Sequence, residues 1–85
     1  MKLVAFILSN NSYESIEYTV NKIPSIINDF FISEDSEDKN ILKIAKKNNY
    51  NLIYNNNLKG YGSNVKNSLK YAFNELKADY AIEVH

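Results

Sequence analysis

Lys2-Leu3-Val4-Ala5-Phe6-Ile7-Leu8, followed by Ser9-Asn10-Asn11-Ser12, decides the fold class of this chain. The first run is apolar without alternation. That pattern fits a strand covered on both faces, as in a parallel sheet between helix layers. The polar residues after it form a loop, and Ser12 is a candidate helix N-cap. Residues 14–27 then place Ile16, Val20, Ile23 and Ile27 at helical spacing. Pro24 is expected to end or kink this helix, because its ring clashes with the preceding turn.

Phe30-Phe31-Ile32, within residues 29–33, reads as a short second strand, and Glu34-Asp35-Ser36-Glu37-Asp38 is an acidic turn. Ser36 is expected to cap the next helix, with Glu37 and Asp38 in its first turn, where the helix dipole favours negative charge. Ile41, Ile44, Ala45 and Asn48 mark one face of that helix, and Lys43, Lys46 and Lys47 lie near its C-terminus. Residues 51–54 form a third strand. Residues 55–62 form a loop carrying the only two glycines, Gly60 and Gly62. Residues 63–77 are the clearest helix, with Val65, Leu69, Ala72, Phe73 and Leu76 on one face. Residues 80–84 form a fourth strand. The alternation predicts one three-layer α/β unit, β-α-β-α-β-α-β, with a parallel sheet and right-handed crossovers.

Length and charge narrow the function classes. The 85 residues make one domain, 1–85, and a chain this short buries only about 60–65% of its unfolded surface. Ten lysines and no arginine balance ten aspartates and glutamates, which argues against a nucleic-acid partner, since such proteins carry a basic excess. Without cysteine there is no disulfide framework and no thiolate metal site. The apolar run at the N-terminus is short for a signal-peptide core, and no small-residue cleavage site follows it. No stretch approaches the roughly 18 apolar residues of a membrane span. A cytoplasmic location is expected, with any membrane association left to parts beyond this chain.

In a parallel α/β sheet, ligands bind beyond the carboxyl ends of the strands, near the switch in strand order. Three loops and the C-terminal residue meet there. Ser9 and Asn11, with Asn10, Ser12 and Tyr13, can hydrogen-bond a base or ribose, or simply make a polar strand-to-helix turn. Glu34 and Asp35 sit where a carboxylate accepts from a ribose hydroxyl or a base N–H. Glu37 and Asp38 are explained by the helix start alone. Lys59-Gly60-Tyr61-Gly62-Ser63-Asn64-Val65-Lys66 opens a helix. Its glycines let backbone approach a ligand, and its free N–H groups favour an anion. The spacing is neither the G-x-G-x-x-G fingerprint, because position 65 is Val, nor a P-loop. Lys66, one turn into the helix, is in the ordinary case solvated. His85 is the only histidine, so no metal site is expected within this chain.

Together these segments resemble the front half of a family-2 glycosyltransferase of the GT-A fold. The acidic turn is similar to that family's D-D-x-S-x-D-x-T signature. Aligned without gaps, Ser36, Asp38 and Asn40 fall on S-x-D-x-T, while Ser33 and Glu34 occupy the paired aspartates. A one-residue deletion would instead place Glu34-Asp35 on the pair. Both alignments stay open, so the nucleotide carboxylate is Glu34 or Asp35. Gly60-Tyr61-Gly62-Ser63-Asn64-Val65-Lys66 looks like the G-Y-G-x-N-x-K stretch of one branch, in which an asparagine lies a few residues earlier, as Asn57 does here. Tyr71-Ala72, and then Ala78-Asp79-Tyr80-Ala81-Ile82-Glu83-Val84-His85, are similar to the same branch. There the last strand leads into a metal-binding aspartate motif.

The resemblance implies the Rossmann-like half of a GT-A fold, with sheet order 3-2-1-4. It implies a nucleotide-diphosphate sugar donor, UDP- or GDP-linked, contacted here through Ser9, Asn11, Glu34, Asp35, Gly60, Gly62, Asn64 and Lys66. It also implies Mg²⁺ or Mn²⁺ in the full-length enzyme, neutralising the leaving diphosphate. The metal aspartates and the catalytic base would follow His85. The chain is therefore expected to be a truncated product or fragment that binds no metal and transfers no sugar alone. Two rivals predict other features. A redox or phosphotransfer relative would carry a glycine-bearing phosphate loop after the first strand, where Ser9-Asn10-Asn11-Ser12 has none. A non-catalytic interaction module would self-associate through an exposed sheet edge.

Overall fold

The computed structural model describes residues 1–55 and 60–84. Asn57, Lys59 and His85, singled out above, lie outside the described residues. The elements are β1 (Leu3–Ser9), a 3-10 turn (Tyr13–Ser15), α1 (Ile16–Asn21), β2 (Asp29–Glu34), α2 (Lys39–Asn48), β3 (Asn51–Tyr54), α3 (Tyr61–Lys70) and β4 (Tyr80–Val84). A π-helical turn, Tyr71–Glu75, prolongs α3. The four strands form one parallel sheet in the order β3-β2-β1-β4. This is the expected α/β architecture, consistent with a Rossmann-like half-domain. Among the described residues no helix is long and apolar enough to cross a membrane.

Strand pleating divides the core in two. Val4, Phe6 and Phe31 pack with Ala72 and, from α3, Val65 and Leu69. Ile7 and Ile32 point the other way, onto Ile16 of α1 and Ile41 of α2. The central run therefore had to be apolar at every position, and Val4, Ala5, Phe6 and Ile7 are all buried. At the amino end of the sheet, Asn28 and Asp79 flank β1. Leu3 N–H donates to Asn28 Oδ1 at 2.7 Å and Lys2 N–H donates to Asp79 Oδ2 at 2.7 Å.

Four local expectations change. The helix expected over 14–27 is α-helical only to Asn21. Pro24 lacks the N–H to continue it and disfavours helical geometry at the residue before it, so the chain turns with Ile23 N–H on Val20 O at 3.1 Å. Ser12 makes no capping bond; its hydroxyl donates to Asn10 O at 3.2 Å instead. The cap of α2 is Asp38, whose Oδ1 accepts from Asn40 N–H at 3.0 Å. Neither Glu37 nor Asp38 therefore lies in the first turn. Ser36 shapes the approach, accepting from Asp38 N–H at 3.1 Å. Finally, Phe73 is 42% exposed rather than inward. The π turn, closed by Leu76 N–H on Tyr71 O at 3.1 Å, carries Tyr71 onto the sheet instead. Its ring meets Phe31 edge-on at 4.8 Å.

Candidate functional site

An open cleft of ≈ 410 Å³ lies at the carboxyl end of the sheet, lined by Leu8, Ser9, Asn10, Asp35, Gly60, Tyr61 and Asn64. Three chain segments build it. β1 delivers Leu8 and Ser9, the exit of β2 delivers Asp35, and the start of α3 delivers Gly60, Tyr61 and Asn64. Ser9 and Asn64 are 2% and 3% exposed, yet Ser9 Oγ and Asn64 Oδ1 have no hydrogen-bond partner among the described residues. Leaving a buried polar atom unpaired costs about 1–3 kcal/mol, and because both atoms are enclosed, a group in the cleft would pair with them only after a local shift.

Among the described residues Asp35 supplies the only formal charge in that lining. Its Oδ1 accepts from Asn55 Nδ2 at 3.1 Å, which holds the carboxylate at the wall. A hydroxyl, an amide and a carboxylate suit the N–H and O–H groups of a hydrogen-bonding ligand. Tyr61 stands at the rim, where its hydroxyl donates to the Glu83 carboxylate, 2.7 Å from Oε1 and 2.8 Å from Oε2. That bond is the main reason the Tyr61 phenol is raised above its ordinary value, ahead of burial and the charge of Glu83.

Behind the cleft runs a buried polar chain. Asn55 Nδ2 donates to Ser33 Oγ at 2.7 Å, Ser33 Oγ and Ser68 Oγ are 2.7 Å apart, and Ser68 Oγ donates to Asn64 O at 2.8 Å. Asn67 Nδ2 closes on Asn55 Oδ1 at 2.6 Å. These bonds fix the start of α3 against the ends of β2 and β3. Sequence reading missed Asn55, Asn67 and Ser68 in this role. The available signal was Ser33, a lone hydroxyl ending an apolar strand.

Of the residues expected at the site, the structure gathers Ser9, Asp35, Gly60 and Asn64 around the cleft. Glu34 and Asn11 are not in that lining; Glu34 is buried and bonded to Asn11 N–H. Lys66 lines a separate 170 Å³ depression with Ser63, Asn67 and Lys70. Gly62 lies within the first turn of α3, where an added Cβ would meet nothing within 4 Å. Gly60 is conformationally required, since its φ is 86° and its ψ 159° at the helix cap. Among the described residues no group of three or more His, Cys, Asp or Glu side chains converges.

Fold and cleft together define a Rossmann-like α/β half-domain with a candidate ligand site at its carboxyl edge. No family model, curated protein or solved structure matches the chain.

Proposed function

We propose that this chain is the nucleotide-binding half of a glycosyltransferase that uses a nucleotide-diphosphate sugar, UDP- or GDP-linked. The observation that carries the reading is the convergence of Ser9, Asn64 and the Asp35 carboxylate on one cleft at the carboxyl end of the sheet. A base and ribose present the N–H and O–H groups that such atoms accept. The carboxyl-end position is where parallel α/β sheets hold nucleotides. The motif resemblance of the acidic turn and of the Gly60–Lys66 stretch supplies the sugar-nucleotide class. Mg²⁺ or Mn²⁺ belongs to the transfer step of such enzymes, and that step is not assigned to the residues described.

Saturation-transfer NMR against uridine, guanosine, UDP, GDP and their sugar conjugates tests the reading. Transfer to base and ribose protons, lost in Asp35→Asn, is the expected result. No contact at millimolar nucleotide, for this chain and for any longer version of it, would overturn the assignment.

A second reading, self-association, is favoured by β4. Among the described residues it is an edge strand, paired with β1, and Tyr80 and Ile82 are 59% and 43% exposed. An unpaired strand edge with exposed apolar side chains is a template for another strand, and a second copy supplies one. Sedimentation over a concentration series should show dimers that Ile82→Lys suppresses. A monomer at every concentration counts against it.

A further inference from the structure

Glu34 and Asp35 are adjacent in sequence but do different things in space. Among the described residues Glu34 is the only buried carboxylate, at 0% exposure. It ends β2 on the face that packs against α1 and α2, whereas Asp35 reaches Asn55 on the α3 side. One Glu34 oxygen, Oε2, accepts three bonds: from Asn11 N–H at 2.9 Å, from Ser36 N–H at 3.1 Å and from Ser36 Oγ at 2.6 Å. The first of these comes from the loop after β1 and the other two from the loop after β2. Asn11 is left-handed, with φ 57°, a conformation that asparagine tolerates better than most residues. The ladder itself continues alongside, with Asp35 N–H on Ser9 O at 2.8 Å. Glu34 Oε1 is buried without a partner among the described residues, so a ligand reaches it only if this loop moves.

We infer that Glu34 is a positioning residue. Its carboxylate clamps the loops leaving β1 and β2 into one wall, and that wall presents Ser9, Asn10 and Asp35 to the cleft. Of the two neighbouring carboxylates, only Asp35 meets the ligand. That a ligand occupies the cleft rests on the proposed nucleotide function; the clamp itself does not.

The experiment uses the whole chain, isotope-labelled, with Glu34→Gln, Ser36→Ala and Asp35→Asn. Glu34→Gln keeps the shape and removes the charge that strengthens all three bonds. In it the amide protons of Asn11 and Ser36 should both move upfield, while Asp35→Asn leaves the Asn11 amide in place. Affinity for uridine and guanosine nucleotides should fall by about three- to tenfold in Glu34→Gln, as expected when a preorganised wall loosens. The ratio between the two bases should not change, and this ratio is the readout that separates positioning from contact. Ser36→Ala, which removes the 2.6 Å bond from a partly exposed site, should act in the same direction to a smaller extent. It decides the matter if Glu34→Gln does not fold. An altered base ratio in Glu34→Gln would make Glu34 a ligand contact and overturn the inference. Unmoved Asn11 and Ser36 amides would overturn it too. If the wild type binds no nucleotide, the functional reading falls, and the amide shifts still decide whether the clamp exists.

Discussion

Asn55 Nδ2 stands 2.7 Å from Ser33 Oγ, and this pair of strand-end residues receives α3 on the sheet through Asn67 and Ser68. Both residues are buried, at 2% and 0% exposure. Asn55 uses both ends of its amide, giving to Ser33 and Asp35 and taking from Asn67. Without it, Ser33 Oγ, Asp35 Oδ1 and Asn67 Nδ2 would each lose a hydrogen-bond partner.

Replacing Asn55 with alanine should therefore cost about 2–4 kcal/mol, since it removes a bond from buried Ser33 and from half-buried Asp35 and Asn67 at once. Ser68→Ala should cost about 1 kcal/mol, the net value of an ordinary hydrogen bond. Because the two residues share one chain of bonds, the double variant should be non-additive by about 0.5 kcal/mol or more. Urea unfolding of the four proteins gives all three quantities.

At the cleft wall, Asp35→Asn should weaken nucleotide binding by about tenfold, the loss of a charge-assisted bond. Glu37→Gln, on an exposed residue of the same turn, should leave binding within twofold, by roughly the small effect expected of surface substitutions. Titration calorimetry or NMR line shifts would measure both, and a larger effect at Glu37 than at Asp35 would misplace the site.

The two glycines should respond in opposite directions. Gly60 has φ 86° and ψ 159°, so Gly60→Ala should cost about 1–3 kcal/mol of backbone strain. Gly62 is helical and faces open space. There alanine should stabilise by about 0.4–1 kcal/mol, through lower unfolded-state entropy and better helix propensity. Thermal melts of the two single variants, run side by side, would show the contrast.

Tyr61 carries a pH dependence with a defined sign. Its hydroxyl donates to Glu83, so the folded-state pKa is raised above the ordinary value of 10.0. A raised value favours the protonated phenol in the folded state. That stability is fully present below about pH 10 and is lost as pH rises through the folded-state value. Tyr50 and Tyr54 are raised too, first by burial and then by Glu17 for the former and by Glu34 and Asp38 for the latter. Tyr61→Phe should thus reduce, without abolishing, the fall in stability on the alkaline side. Denaturant midpoints at pH 8 to 11, roughly two pH intervals around the free phenol value, would record it. Phenolate absorbance followed over the same range would show one late-titrating tyrosine fewer.

Local sequence was sufficient for the strands. An unbroken apolar run such as residues 3–8 survives only between two helix layers, and the helical spacings of Ile16, Ile41 and Leu69 supplied those layers. The carboxyl-end location of the candidate cleft followed from that topology, and of the eight residues expected there Ser9, Asp35, Gly60 and Asn64 line it. What the sequence left open was direction. Glu34 and Asp35 are chemically alike and adjacent, and only the strand pleat sends one beneath the loops and the other toward Asn55. Likewise, Lys66 and Asn64 share a helical turn, but helix rotation against the sheet buries the asparagine and leaves the lysine outside. The polar chain from Asn55 to Ser68 joins residues distant in sequence through single hydrogen bonds. Such bonds have no periodicity to betray them, so tertiary packing alone decided them.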